Sequence, residues 1–190
     1  MTKLKFNIMK GIVVISITAM LFSCGNNTSE IRDFLADKNL PIGVAENISN
    51  IYTDSGRVTS KLQAPLLHNY SNRANHPYSE FPEGVRVVTI DKEGDSVVIT
   101  GNYAIVFSKT NISEIRDNVV INNFVEQKKL ITDQLFWDQK IKYFYTEKPF
   151  TLYTQTDTIH GVGFDASEDL KVFAAKSNRG NIYINETSEE

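Results

Sequence analysis

The sequence predicts an all-β fold in which units of strand, tight turn and strand stack on one another. Two observations lead there. The first is composition: aromatic residues make up 11% of the 190 residues, Val, Ile and Thr are plentiful, and there are only five Pro. The second is a repeat within residues 97–152. Residues 97–110 and then 112–121 read as strand, turn and strand, and residues 129–140 and then 141–152 do so again. The polar pairs Lys109-Thr110 and Gln139-Lys140 hold equivalent places about thirty residues apart. A weaker third copy runs through 158–165, 170–175 and 182–184, and an aromatic precedes Asp in both later copies, at Trp137-Asp138 and Phe164-Asp165. Such units bury their apolar faces only against their neighbours, so self-similarity of this kind implies a stacked β architecture.

The N-terminus is set apart from this fold. Residues 1–10 carry Lys3, Lys5 and Lys10 and no acid. Residues 11–22 form an apolar run too short to cross a bilayer comfortably, and Leu21-Phe22-Ser23-Cys24 ends it. This is the pattern of a bacterial export signal over residues 1–23. Cys24 is the only cysteine, and it stands directly before the polar stretch Gly25-Asn26-Asn27-Thr28-Ser29. Its surroundings resemble a lipobox, in which the signal is cleaved before the cysteine and the thiol receives a diacylglycerol. More than one acyl chain at one residue gives stable anchoring, so the mature chain is expected to hang from a membrane by Cys24. Removing residues 1–23 lowers Lys+Arg from 20 to 17 against 23 Asp+Glu, a net charge of −6. That balance argues against nucleic acid as a partner. With no cysteine after Cys24, stability must come from packing and strand pairing.

Residues 24–40 are expected to form a lipidated tether, and residues 41–190 one folded domain. Ile31, Phe34 and Leu35 have helical spacing and precede Pro41, which predicts one short helical turn. Residues 44–52, the turn Thr53-Asp54-Ser55-Gly56 and residues 57–62 read as a hairpin, with Gly56 free to take positive φ. Residues 63–82, with Pro65, Pro77 and Pro82, read as a long loop along an edge. Residues 84–90 form a strand, and Asp91-Lys92-Glu93-Gly94-Asp95 a turn. Its three acids lack calcium-loop spacing and the terminal bidentate Glu, so an ordinary hairpin tip is the reading.

Period-two alternation places Val97, Ile99, Tyr103, Ile105 and Phe107 on one face, Leu135 and Trp137 in one phase, and Ile141, Tyr143 and Tyr145 in another. A single slipped residue would send any of these sets to the opposite face. No catalytic signal stands out: His68, His76 and His160 are scattered, and Gly161-Val162-Gly163 lacks a third Gly and a following helix. No enzyme, metal or cofactor is expected.

Three stretches together resemble the LptC family, the periplasmic component of the lipopolysaccharide exporter. They are Pro41-Ile42-Gly43-Val44-Ala45-Glu46-Asn47 with Tyr52-Thr53-Asp54-Ser55-Gly56, then Tyr78-Ser79-Glu80-Phe81-Pro82-Glu83-Gly84-Val85, then residues 130–138 with Thr146-Glu147-Lys148-Pro149. The likeness spans about residues 41–184. It implies a twisted, open β-jellyroll folded like a taco, whose apolar interior holds the acyl chains of lipopolysaccharide. Ile99, Tyr103, Ile105, Phe107, Leu135, Trp137, Tyr143 and Tyr145 are the residues expected to face that groove. The resemblance also implies docking to the inner-membrane lipopolysaccharide ABC transporter and, by edge-strand addition, to a periplasmic bridge protein. The chain departs from relatives anchored by a transmembrane helix, since Cys24 takes that place here. The competing reading is a lipoprotein β-sandwich adaptor or carbohydrate-binding module, which a closed, filled interior would favour.

Overall fold

A computed structural model of the chain describes residues 28–179. The export segment, Cys24 and residues 182–184 of the third repeat lie outside them. One helix, α1 (Thr28–Asp37), precedes eleven strands: β1 (Gly43–Asp54), β2 (Arg57–Tyr70), β3 (Tyr78–Phe81), β4 (Val85–Ile90), β5 (Ser96–Gly101), β6 (Tyr103–Phe107), β7 (Ile112–Asn123), β8 (Lys128–Asp138), β9 (Tyr143–Tyr153), β10 (Thr158–Ser167) and β11 (Phe173–Arg179). Among the described residues, residues 28–34 fall in one unit and residues 35–179 in a second, which holds the sheet. At its start, Arg73 donates to the Ala36 carbonyl at 2.5 Å, and Asn72 donates to that of Leu40 at 3.3 Å.

All eleven strands belong to one antiparallel sheet. β3 and β4 behave as one strand interrupted at residues 82–84, and β5 and β6 as one interrupted at Asn102. β4 pairs with β5 and β3 with β6 across the same gap. The sheet is therefore a meander of nine long strands, most of them broken midway. Register shifts fall between Arg116 and Val119 on β7, Thr132 and Phe136 on β8, and Val162 and Phe164 on β10. Asp117 and Asn118 take positive φ, 60° and 55°. Breaks in line across neighbouring strands make a crease, because a bulge bends its strand.

The sheet is folded over at that crease. Asn123 ends β7 in the first half, whereas Asp169 follows β10 at the far end of the second half, near the row of Ile112. In a flat sheet the rows of Ile112 and Asn123 would lie about 35 Å apart at about 3.3 Å per residue. Yet Asn123 Nδ2 donates to the Asp169 carbonyl at 2.7 Å. The two ends meet.

The turns follow the repeat. Residues 108–111 join β6 to β7, and residues 139–142 join β8 to β9. Both turns end on a residue with positive φ, Asn111 (57°) and Lys142 (55°). Asp138 Oδ1 accepts the Lys140 and Ile141 N–H groups, and Asn123 Oδ1 those of Val125 and Glu126. Asx side chains thus supply turn chemistry that glycine does elsewhere. Asp91 accepts from the Glu93 and Asp95 N–H groups in the same way, which ties its carboxylate to the hairpin tip.

The long loop expected over residues 63–82 is corrected by the structure. β2 continues to Tyr70, paired with β1 from Gly43↔Asn69 to Asp54↔Arg57, and β3 occupies residues 78–81. Pro65 is tolerated because it stands opposite Asn47, whose φ of 50° takes that position out of the ladder, so no N–H is missed.

Candidate functional site

The inner face of the folded sheet carries the apolar residues. In the first half a single register row crosses seven strands: Leu62, Val87, Ile99, Ile121, Leu130, Leu152 and Ile159. Ile99, Ile121 and Leu130 are fully buried. The second half contributes the row Val106, Ser113, Trp137, Phe144, Ala166 and Phe173, beside Phe81, Ala104, Ile115 and Leu135. These residues belong to one continuous core cluster or pack against it, apart from the small polar Ser113. Rings supply much of the contact: Trp137 lies 5.9 Å from Phe144, and Phe164 lies 4.9 Å from Phe150 and 5.7 Å from Phe173.

Of the eight residues expected to face a groove, Ile99, Leu135 and Trp137 point inward. Tyr103, Ile105, Phe107, Tyr143 and Tyr145 stand on the outer face, which corrects the common face expected of them. The reason is phase. Inward positions run Val97, Ile99 before Asn102 and Ala104, Val106 after it, because Asn102 leaves the ladder and donates its N–H to the Asp117 carbonyl at 2.9 Å. On β9 the residue opposite Trp137 is Phe144, so its neighbours Tyr143 and Tyr145 turn outward.

The outer face of the second half is polar and aromatic. Tyr103 donates its hydroxyl to Glu80 at 2.6 Å, and burial together with that bond raises its pKa. The Arg116 guanidinium lies 5.0 Å above the Tyr103 ring. Phe107 and Tyr145 border an outer cavity of about 290 Å³ with Phe136, which stacks on Tyr145 at 5.1 Å.

The mouth, where the two halves meet opposite the crease, holds a cavity of about 340 Å³. Val97 and Trp137 line it from within, and its rim includes Asp91, Glu126, Lys142, Glu168 and Lys171. Trp137 is 8% exposed, and its indole N–H has no hydrogen-bond partner among the described residues. Burial pushes the Glu168 carboxyl above its usual range, against the opposing pull of Lys142 and a hydrogen bond with Thr89. Sequence reasoning missed Phe144, Leu130 and the turn after β10. The first two were legible as alternate apolar positions once the phase was known.

Among the described residues, no group of three or more His, Cys, Asp or Glu could hold a metal ion. His68 faces Glu80 at 3.6 Å, and His160 Nδ1 lies 3.0 Å from the Thr151 hydroxyl, so neither assembles a ligand set. No helix among the described residues is long and apolar enough to cross a membrane.

No curated protein matches the chain. A family model described as "Lipopolysaccharide-assembly, LptC-related" matches residues 12–183, which takes in the entire sheet down to its last strand. The folded sheet and its apolar inner face agree with that match. The chain belongs to the LptC-related family, a periplasmic, inner-membrane-associated family of lipopolysaccharide transport rather than of enzymes.

Proposed function

We propose that this protein is a bridge in lipopolysaccharide export. It would bind acyl chains between the two halves of its folded sheet and pass them from the inner-membrane ABC transporter to a periplasmic bridge protein. The observation that carries this reading is the unbroken apolar row from Leu62 to Ile159 on the inner face, facing the aromatic row of Trp137, Phe144 and Phe173. Ile99, Leu135 and Trp137 are then lipid-facing. Among the described residues, β1 and β11 each pair on one side only, which leaves an edge at either end of the sheet for strand addition. Residues 1–23 act as the export signal, and lipidated Cys24 anchors the chain through residues 25–40 to the domain at 41–190.

Energetics suit a relay. At ~0.8 kcal/mol per buried methylene, a long acyl chain sealed inside would be held by roughly 10 kcal/mol, too tightly for hand-over. Partial burial in an interior that opens at its mouth, with energy supplied by the transporter's ATPase, avoids that trap. One observation favours the second reading, an adaptor with a closed core: Ile121, Leu130, Leu135 and Phe144 leave no exposed surface.

Depleting the protein separates the two. The bridge reading expects lipopolysaccharide to accumulate at the inner membrane, and an unchanged distribution contradicts it. For the anchor, Cys24→Ala is expected to abolish fatty-acid labelling, and unchanged labelling would remove the lipobox.

A further inference from the structure

The turn between β10 and β11 closes the far end of the second half, yet its bonds reach across to the first. The Asp169 carbonyl accepts from Asn123 Nδ2 at 2.7 Å, and the Leu170 carbonyl accepts from Lys128 Nζ at 3.0 Å. Asn123 and Lys128 stand at the mouth ends of β7 and β8. Leu170 itself is fully buried in the core cluster, with a φ of 55° that a branched aliphatic residue seldom takes.

The turn is also braced from within. Ser167 N–H donates to the Val172 carbonyl and Leu170 N–H to that of Ser167, both at 2.9 Å, while Lys171 N–H donates to Asp169 Oδ1 at 3.0 Å. A hairpin that only reverses the chain needs neither a buried leucine in a left-handed conformation nor two side-chain bonds from the opposite half. The interior is packed at Leu130, Leu135 and Phe144. An acyl chain therefore enters only when the halves part, and this turn ties them.

We propose that residues 167–172 form a latch across the mouth of the folded sheet, with Leu170 as its plug, and that release of the latch admits an acyl chain; this rests on the acyl-binding reading above. Two variants of the full chain isolate it. Asn123→Asp keeps the Oδ acceptor used by Val125 and Glu126 but loses the donor to Asp169. Leu170→Asn keeps a residue that tolerates positive φ and removes the apolar plug.

The test combines amide hydrogen exchange with uptake of a dansyl-labelled long-chain fatty acid. In both variants, exchange at residues 168–172 is expected to rise at least tenfold while the amides of β7–β9 exchange as in the wild type, and the probe is expected to enter several-fold faster. Unchanged exchange at the turn in both variants overturns the latch. Faster exchange with the probe entering wild type and variants at one rate overturns its gating role alone. If no form takes up the probe although the turn exchanges freely, the acyl-binding reading itself fails.

Discussion

On the outer face of the second half, Arg116 grips the carboxylate of Glu114 through two parallel hydrogen bonds of 2.8 and 2.9 Å, two residues apart on one strand. Gln134 donates to the same carboxylate at 2.5 Å. The pair sits opposite the interior and binds β7 to β8 beside the crease.

That arrangement predicts a pH dependence with a definite sign. Burial alone would raise the Glu114 pKa, but the bonds from Arg116 and Gln134 and the Arg116 charge outweigh it and hold it below the usual value. Its contribution is therefore present above about pH 4.5 and lost as pH falls through the lowered pKa. Glu168 is the reverse case: its raised pKa means stability that is full below about pH 4.5 and lost as pH rises through the folded value. In thermal melts, Glu114→Gln should cost about 1–2 kcal/mol at pH 7 and less in acid. Glu168→Gln should gain on the wild type as pH rises from 4 to 7. Parallel pH profiles for both variants would contradict the assignment.

The division of faces predicts unequal costs for similar truncations. Leu130→Ala empties a fully buried position and should cost about 2–5 kcal/mol. Ile105→Ala, on the half-buried outer face, should cost about 1 kcal/mol. Urea unfolding of both variants reads this directly. Equal losses would return Ile105 to the interior.

The crease should resist added volume. A Cβ on Gly101 would lie 2.4 Å from Cγ2 of Ile115 and 3.3 Å from the Arg116 carbonyl oxygen. Gly101→Val should accordingly destabilise by about 1–3 kcal/mol in the same urea assay. Gly43, with nothing within 4 Å of its Cβ position, is the control, and Gly43→Ala should change stability by no more than about 0.5 kcal/mol.

These expectations show where the sequence was legible. The repeat boundaries at Lys109-Thr110 and Gln139-Lys140 fall in the two equivalent turns, and Ser55-Gly56 makes the first hairpin with φ of 51° and 79°. Inward Ile99, Leu135 and Trp137 were readable from alternation. Tyr103, Ile105 and Phe107 were not, because the phase reverses at Asn102, whose tertiary bond to Asp117 has no local marker. Pro65 looked like a breaker because its partner, Asn47, lies eighteen positions earlier in the chain. Leu170 carries no local signal, since its burial depends on the sheet folding back on itself.

The most direct test of the interior uses two adjacent residues of β6 with opposite orientation. Val106 packs against the core cluster, whereas Phe107 lies beside Ile112 and Tyr78 on the outer face. Photocrosslinking amino acids placed at Val106 and at Phe107 in living cells should trap lipopolysaccharide at Val106 and not at Phe107. Labelling at Phe107 alone, or at neither position while the exporter is active, would contradict a lipid path through the interior.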